Sequence, residues 1–190
     1  MSETTEALDE ELTRFIEHQH IFFVATAPLE AGGHINLSPK GHDTLRVLDP
    51  RTVAYLDLTG SGVETIAHLR QNGRITLVFC AFSGKPRIVR IYGSGEPVLP
   101  GDEGYDGLLD RFTPSAGVRS VIRVRVERVS TSCGYGVPLM TYEGERDTLT
   151  KWFERKGPEG IARYRRSKNS RSIDGLPGLP EDAGGEQRSA

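Results

Sequence analysis

The chain is poor in the residues that mark covalent and metal chemistry. It has two cysteines in 190 residues, Cys80 and Cys133, and a domain of this length does not need a disulfide to stay folded. Cys80 sits in the apolar run ITLVFCAF, where cysteine behaves as a small buried hydrophobe. The five histidines, His18, His20, His34, His42 and His68, share no metal-ligand spacing with acids or cysteines, so no metal is expected. None follows His68, so no neighbouring base marks Cys133 as a nucleophile. No apolar run approaches the roughly eighteen residues of a membrane span, and the opening MSETTEALDEEL lacks the basic start and apolar core of a signal peptide. A net charge of −2 gives no general attraction to nucleic acid or acidic membranes. These absences lead to the expectation of a cytoplasmic protein with no nucleic-acid or membrane partner.

The content of the chain points to one well-cored domain, mainly β with peripheral helices. The spacing predicts an N-terminal helix within residues 1–20, a β domain over 21–140, helices packed on it over 141–170, and a Gly/Pro-rich tail over 171–190 whose last ten residues are expected to be mobile. Leu8, Leu12, Phe15 and Ile16 fall at helical spacing. IFFVATA and HINLS flank the turn PLEAGG as a hairpin. TVAYLDL, RITLVFCAF and KPRIVRIYGSGEPVL read as further strands, the second with both faces covered. VIRVRVERVSTS alternates with period two and slips near Arg128. Gly93 and Gly95 mark a bend of the kind that lets a sheet curl. With no βαβ alternation, a small antiparallel barrel is favoured.

Two turns carry the candidate chemistry. TVAYLDLTGSGVET places Gly60, Ser61 and Gly62 ahead of a short helix, so that Ser61 and Thr65 stand near unpaired N–H donors; the same two residues would also serve as plain helix caps. A dinucleotide fingerprint would need a glycine where Thr65 stands, and a Walker loop would need a lysine after the turn. NLSPKG adds Ser38 and Lys40, either as anion ligands or as an ordinary solvated turn. Arg87 and Arg90 lie on opposite faces of one strand, so one of them points inward or toward a site, and a buried guanidinium needs an anionic partner. CGYGVP (133–138) shapes a loop around Tyr135. The basic stretch from Lys151 to Arg171 interleaves Trp152, Phe153, Ile161 and Tyr164 at helical spacing and reads as a solvated face packed on the barrel.

The order of FFVATA, HINLSPKG, TVAYLDLTGSGVET, NGRITLVFCAF and PRIVRIYGSGEPV resembles the pyridoxamine 5′-phosphate oxidase-like, FMN-binding split-barrel proteins, over about Leu12 to Val129. CGYGVP and SIDGLP resemble features of one bacterial branch. The resemblance implies a six-stranded antiparallel split β-barrel working as a homodimer, with FMN at the subunit interface and a small-molecule substrate. It matches Lys40, with Ser38 beside it, and Ser61 to phosphate-holding positions, and sets Leu56, Asp57 and Leu58 along the isoalloxazine edge. Thr65 at the helix start and Arg90, a same-face neighbour of Ile88 where the oxidase has glutamine, are the further phosphate candidates. The Arg-Lys pair that follows the turn serine in the oxidase is absent; Gly62, Val63 and Glu64 stand there. The oxidase's substrate motifs, Tyr-x-x-x-Arg-x-x-x-Ser and Arg-x-His, are also missing. The implied activity is therefore FMN-dependent oxidoreduction other than pyridoxamine-phosphate oxidation, with no catalytic side chain assigned. A deazaflavin coenzyme or haem, or a non-catalytic flavin-binding role, are the alternatives on the same scaffold. Tyr135 or the SIDGLP segment is expected to cap the substrate side.

Overall fold

The computed structural model describes residues 3–180. The strands are β1 (Thr4–Thr5), β2 (Phe22–Thr26), β3 (Asn36–Lys40), β4 (Leu45–Asp49), β5 (Thr52–Leu58), β6 (Arg74–Cys80), β7 (Ile88–Val98) and β8 (Val118–Ser132), and the helices are α1 (Glu10–Glu17), α2 (Glu64–Asn72), α3 (Tyr105–Leu109) and α4 (Thr148–Lys168). All strand pairs are antiparallel, in the order β3-β2-β6-β7-β8-β5-β4, with β1 added to β8. The sheet is open but curled. Lys40 on edge strand β3 reaches Asp57 on β5, near the other end of the sheet, at 3.4 Å.

The expected antiparallel fold is present, with its six strands supplemented by β1 and β4. Residues Leu45–Leu48 are all half-buried, so β4 shows none of the contrast that makes a strand legible in sequence. The first helix starts later than its apolar spacing suggests. Thr4 and Thr5, both β-branched, pair with Ser130 and Val129, and Asp9 caps the helix by accepting the Leu12 N–H at 2.8 Å. The slip near Arg128 is a β-bulge: Tyr92 opposes Arg128 while Gly93 opposes Val126, leaving Glu127 as the extra residue. The C-terminal helices meet at Gly157, whose φ of 64° breaks the ladder ahead of Pro158.

The main core lies inside the curl, where Val24, Tyr55, Leu77, Phe79, Ile91 and Ile122 meet α1 and α2. A second cluster, including Ala54, Leu56, Tyr105, Phe112 and Val121, lies on the other face of β5 beneath α3. Strand β5 is therefore buried on both sides. The expectation of a doubly covered strand falls on β6 instead, and it is corrected: Thr76, Val78 and Cys80 alternate half-buried with the fully covered Leu77 and Phe79, because none of the described residues fully covers that outer face. No helix among the described residues is long and apolar enough to cross a membrane. The mobility expected of the last ten residues concerns positions 181–190, outside the described range.

Gly93 is required by close approach, since a Cβ there would overlap the Arg125 carbonyl of the neighbouring strand. Gly93→Ala is expected to lower stability by about 1–3 kcal/mol, an overpacking cost that a fixed backbone carbonyl cannot relieve. Urea denaturation checks it; a change below about 0.5 kcal/mol would mean that the bulge accommodates the methyl.

Candidate functional site

Period two places Asn36, Ser38 and Lys40 on one face of β3, half-buried toward the barrel, while Leu37 and Pro39 point out. Across the gap between the sheet's ends stand Asp57 on β5 and Thr65 in the first turn of α2. Asn36 reaches Thr65 and Lys40 reaches Asp57, so two of the candidate anchors bridge the split directly. Ser38 lies between them, its Oγ buried and, among the described residues, without a hydrogen-bond partner.

Asp57 is wholly buried and held by Arg119, whose Nε donates to Oδ2 at 2.8 Å and whose Nη2 donates to Oδ1 at 3.3 Å. Ser120 Oγ also donates to Oδ2, at 3.3 Å. Burial pushes the Asp57 carboxyl up, but Arg119 and Lys40 outweigh it and hold the group below the ordinary carboxylate range. Arg119 Nη1 donates to the carbonyls of Gly60 and Gly62. From α4, Arg165 donates to Thr59 Oγ1 at 2.9 Å and the Val118 carbonyl at 2.9 Å; burial lowers its pKa, with Arg119 adding to the effect. Asn169, fully buried, donates to the Gly60 carbonyl at 2.9 Å.

The GSG turn thus gives its carbonyls to protein donors. Neither Ser61 nor Thr65 caps α2; its N-cap is Val63, which offers no side-chain bond. Ser61 is exposed. Arg90 does not join the cluster within the chain. It lies on the face of β7 opposite Val89 and Ile91, and hydrogen-bonds Ser132 at 3.1 Å. Arg87 lies at the rim, paired with Glu11 at 2.7 Å and packed over Phe15.

Leu56 and Leu58 face away from Asp57, into a cleft of about 660 Å³ that begins where β3 ends, at Gly41. His42 and Asp43 follow at φ 61° and 52°, two consecutive left-handed residues of the kind stored near functional sites. Glu145 steadies this turn by accepting the His42 N–H at 3.3 Å and the Tyr142 hydroxyl at 3.0 Å, while Tyr142 stacks on His20 at 3.6 Å. The SIDGLP segment borders the other end of the split: Asp174 accepts the His34 N–H at 2.8 Å and Glu64 accepts the Ile173 N–H at 3.2 Å. Tyr135 lies out in solvent.

The arrangement suits an anion at the split. Arg119 is committed to Asp57 and the turn carbonyls, and Arg165 points to Thr59 and the Val118 carbonyl, but Lys40 is only 19% exposed and has, among the described residues, one acceptor, at a long 3.4 Å. Beside it lies the unpartnered Ser38 hydroxyl. Among the described residues no group of three His, Cys, Asp or Glu is placed to hold a metal. Sequence reasoning missed Asn36, Arg119, Arg165 and Asn169. The one signal for Arg119 is Asp57 itself, a carboxylate within the apolar strand TVAYLDL that demands a cation. Arg165 belongs to the stretch that reads as a solvated face; its helix turns it inward to the Thr59 hydroxyl, and the reading is corrected for that residue.

Comparison with known proteins gives a consistent picture. The family model for pyridoxamine 5′-phosphate oxidase matches residues 8–133. A pyridoxamine 5′-phosphate oxidase family protein of Aspergillus flavus, ustO, is 41% identical over 191 residues, covering 92% of this chain and 76% of its own. Among solved structures, a Lactobacillus delbrueckii protein described as a candidate pyridoxamine 5′-phosphate oxidase aligns with a TM-score of 0.51 at 23% identity, over 66% of this chain and 94% of its own. A single-residue variant of HupZ from Group A Streptococcus aligns with a TM-score of 0.50 at 23% identity, over 65% of this chain and 98% of its own. These two likenesses concern the fold.

Proposed function

The chain belongs to the pyridoxamine 5′-phosphate oxidase family, and we propose that it is an FMN-dependent oxidoreductase acting on a small molecule, assembled as a homodimer. The observation that carries the reading is the buried, unpartnered Ser38 hydroxyl beside an under-coordinated Lys40 at the split of the barrel. A phosphate there would gain charge-assisted bonds from Lys40 and hydroxyl donors from Ser38 and Thr65. Leu56 and Leu58 give the adjoining cleft an apolar floor fit for a flat aromatic ring. The flavin, when bound, supplies hydride transfer. The protein anchors the phosphate, and its cleft walls orient the ring and exclude water. Pairing of two copies is supported by the uncovered outer face that runs over β3, β2 and β6, where Ile35, just ahead of β3, and Leu37 are 77% and 65% exposed and Phe23 and Val78 are half-buried.

The test is an absorption spectrum of the purified protein, followed by titration with FMN, a deazaflavin coenzyme and haem if it is colourless. Oxidised-flavin bands released on denaturation, and bleached by a nicotinamide donor, are the expected result. A protein that takes up none of the three would end the cofactor reading. Bound flavin that no donor reduces would leave a binding protein rather than an oxidoreductase.

A further inference from the structure

Thr26 and Asn36 are cross-strand partners in the β2–β3 ladder. Thr65 and His68, three residues apart, share one face of α2. The four side chains form a chain of hydrogen bonds. Asn36 Nδ2 donates to Thr26 Oγ1 at 3.1 Å and to Thr65 Oγ1 at 3.0 Å, and Thr26 Oγ1 lies 3.0 Å from His68 Nδ1. Thr26, Thr65 and His68 are 4%, 5% and 0% exposed, so water does not compete for these partners. Burial lowers the pKa of His68, which keeps the ring neutral and leaves the network uncharged near neutral pH.

Hydrogen accounting gives the arrangement a direction. The Asn36 amide has two N–H donors, and both are engaged. Thr65 Oγ1 accepts one of them, so its own O–H cannot point back at Asn36 and must donate elsewhere. Without Asn36 the same hydroxyl would rotate freely between donor and acceptor orientations. We infer that Asn36 is a positioning residue: anchored by Thr26 and His68, it fixes the Thr65 hydroxyl as a donor at the split and so sharpens the site's preference for a phosphate-bearing flavin over one that lacks it. This rests on the phosphate reading of Ser38 and Lys40. Ser38 lies midway along β3, about 6–7 Å from Asn36 and from Lys40 at the backbone, so the three residues line one edge of the split. A phosphate ester that accepts on every free oxygen benefits from a fixed donor, whereas riboflavin presents no group of that kind there.

The experiment measures FMN and riboflavin affinity by fluorescence quenching for wild type, Asn36→Ala, Thr65→Val and the double variant. Asn36→Ala is expected to weaken FMN about five- to tenfold and riboflavin by less than about twofold. It should add nothing in the Thr65→Val background, because the two act through one hydroxyl. An unchanged FMN-to-riboflavin ratio, or losses that multiply in the double variant, overturns the inference. Should Asn36→Ala fail to fold, the isosteric Asn36→Asp tests the same point. Its carboxylate has no donor for Thr65 and adds a like charge, so FMN affinity should fall at least about tenfold; unaltered FMN affinity overturns the inference. Wild-type protein that binds FMN no better than riboflavin defeats the phosphate reading itself, an outcome distinct from a failure of Asn36 alone.

Discussion

Arg119→Met is expected to lower the unfolding free energy by about 3–5 kcal/mol, the cost of stranding a buried charge when its partner is removed. Asp57 has no exposed surface, and its two oxygens take both of their strong charge-assisted bonds from Arg119. Without the guanidinium, the carboxylate keeps only the 3.4 Å contact from Lys40 and the 3.3 Å bond from Ser120. The carbonyls of Gly60 and Gly62 lose a donor as well. Urea denaturation at pH 7 reads the loss directly. The double variant Asp57→Leu, Arg119→Met should recover at least about half of it, since a buried pair can be replaced by apolar groups at little cost. If the double variant is no better than the single one, the damage lies in the turn carbonyls rather than in the charge.

The same variant should reverse the sign of the acid limb. In wild type the Asp57 pKa is depressed in the fold, so its contribution is whole above the unfolded value of about 3.9 and is lost as pH falls through the folded value. With Arg119 gone, the opposing effect of burial dominates and raises the folded pKa. Protonation then relieves the stranded charge. The penalty measured at pH 7 should therefore shrink on approaching pH 4, where the carboxyl takes up its proton. A penalty equal at both pH values would show that the Asp57 charge is not its source.

What the sequence disclosed and what it hid divide along the range of the interactions involved. The alternation in NLSPK is enough to put Ser38 and Lys40 on one face, because period two is a local property of the chain. Glu127 is legible as a slip in VIRVRVERVSTS for the same reason. The partner of Asp57 stands 62 residues away in sequence, and nothing local to Arg119 distinguishes it from Arg123 or Arg125, which sit exposed on the same strand. Asn36 is hidden differently. Its neighbours Ser38 and Lys40 carry the recognisable chemistry, whereas its role depends on Thr26 lying opposite in the ladder and on α2 packing across the gap. The alternation of β7 does put Arg90 on the face of Ile88, as its sequence implies, but that face points away from the core residues Val89 and Ile91, and within the chain Arg90 meets Ser132 rather than the Lys40 cluster.

Lys40→Ala should separate the ligand's cation from the fold's cation. Of the basic groups around the split, Arg119 is committed to Asp57 and the turn carbonyls, and Arg165 is directed at Thr59 and the Val118 carbonyl, whereas the Lys40 ammonium has three donors and, among the described residues, one distant acceptor. A hydrogen bond to a charged group is worth about 1.5–3 kcal/mol, so FMN affinity should fall roughly 10- to 150-fold, with riboflavin affinity unchanged. Stability should move by no more than about 1 kcal/mol, because Asp57 keeps its two charge-assisted bonds from Arg119 and the Lys40 contact is long, at 3.4 Å. The expected pattern is thus the inverse of that for Arg119→Met: ligand lost and fold kept, rather than fold weakened around an intact anchor. Full flavin content in the Lys40→Ala protein would remove the lysine from the anchor. It would leave the unpartnered Ser38 hydroxyl as an internal polar group to be satisfied by water, and with it would go the argument that this split is built for a phosphate.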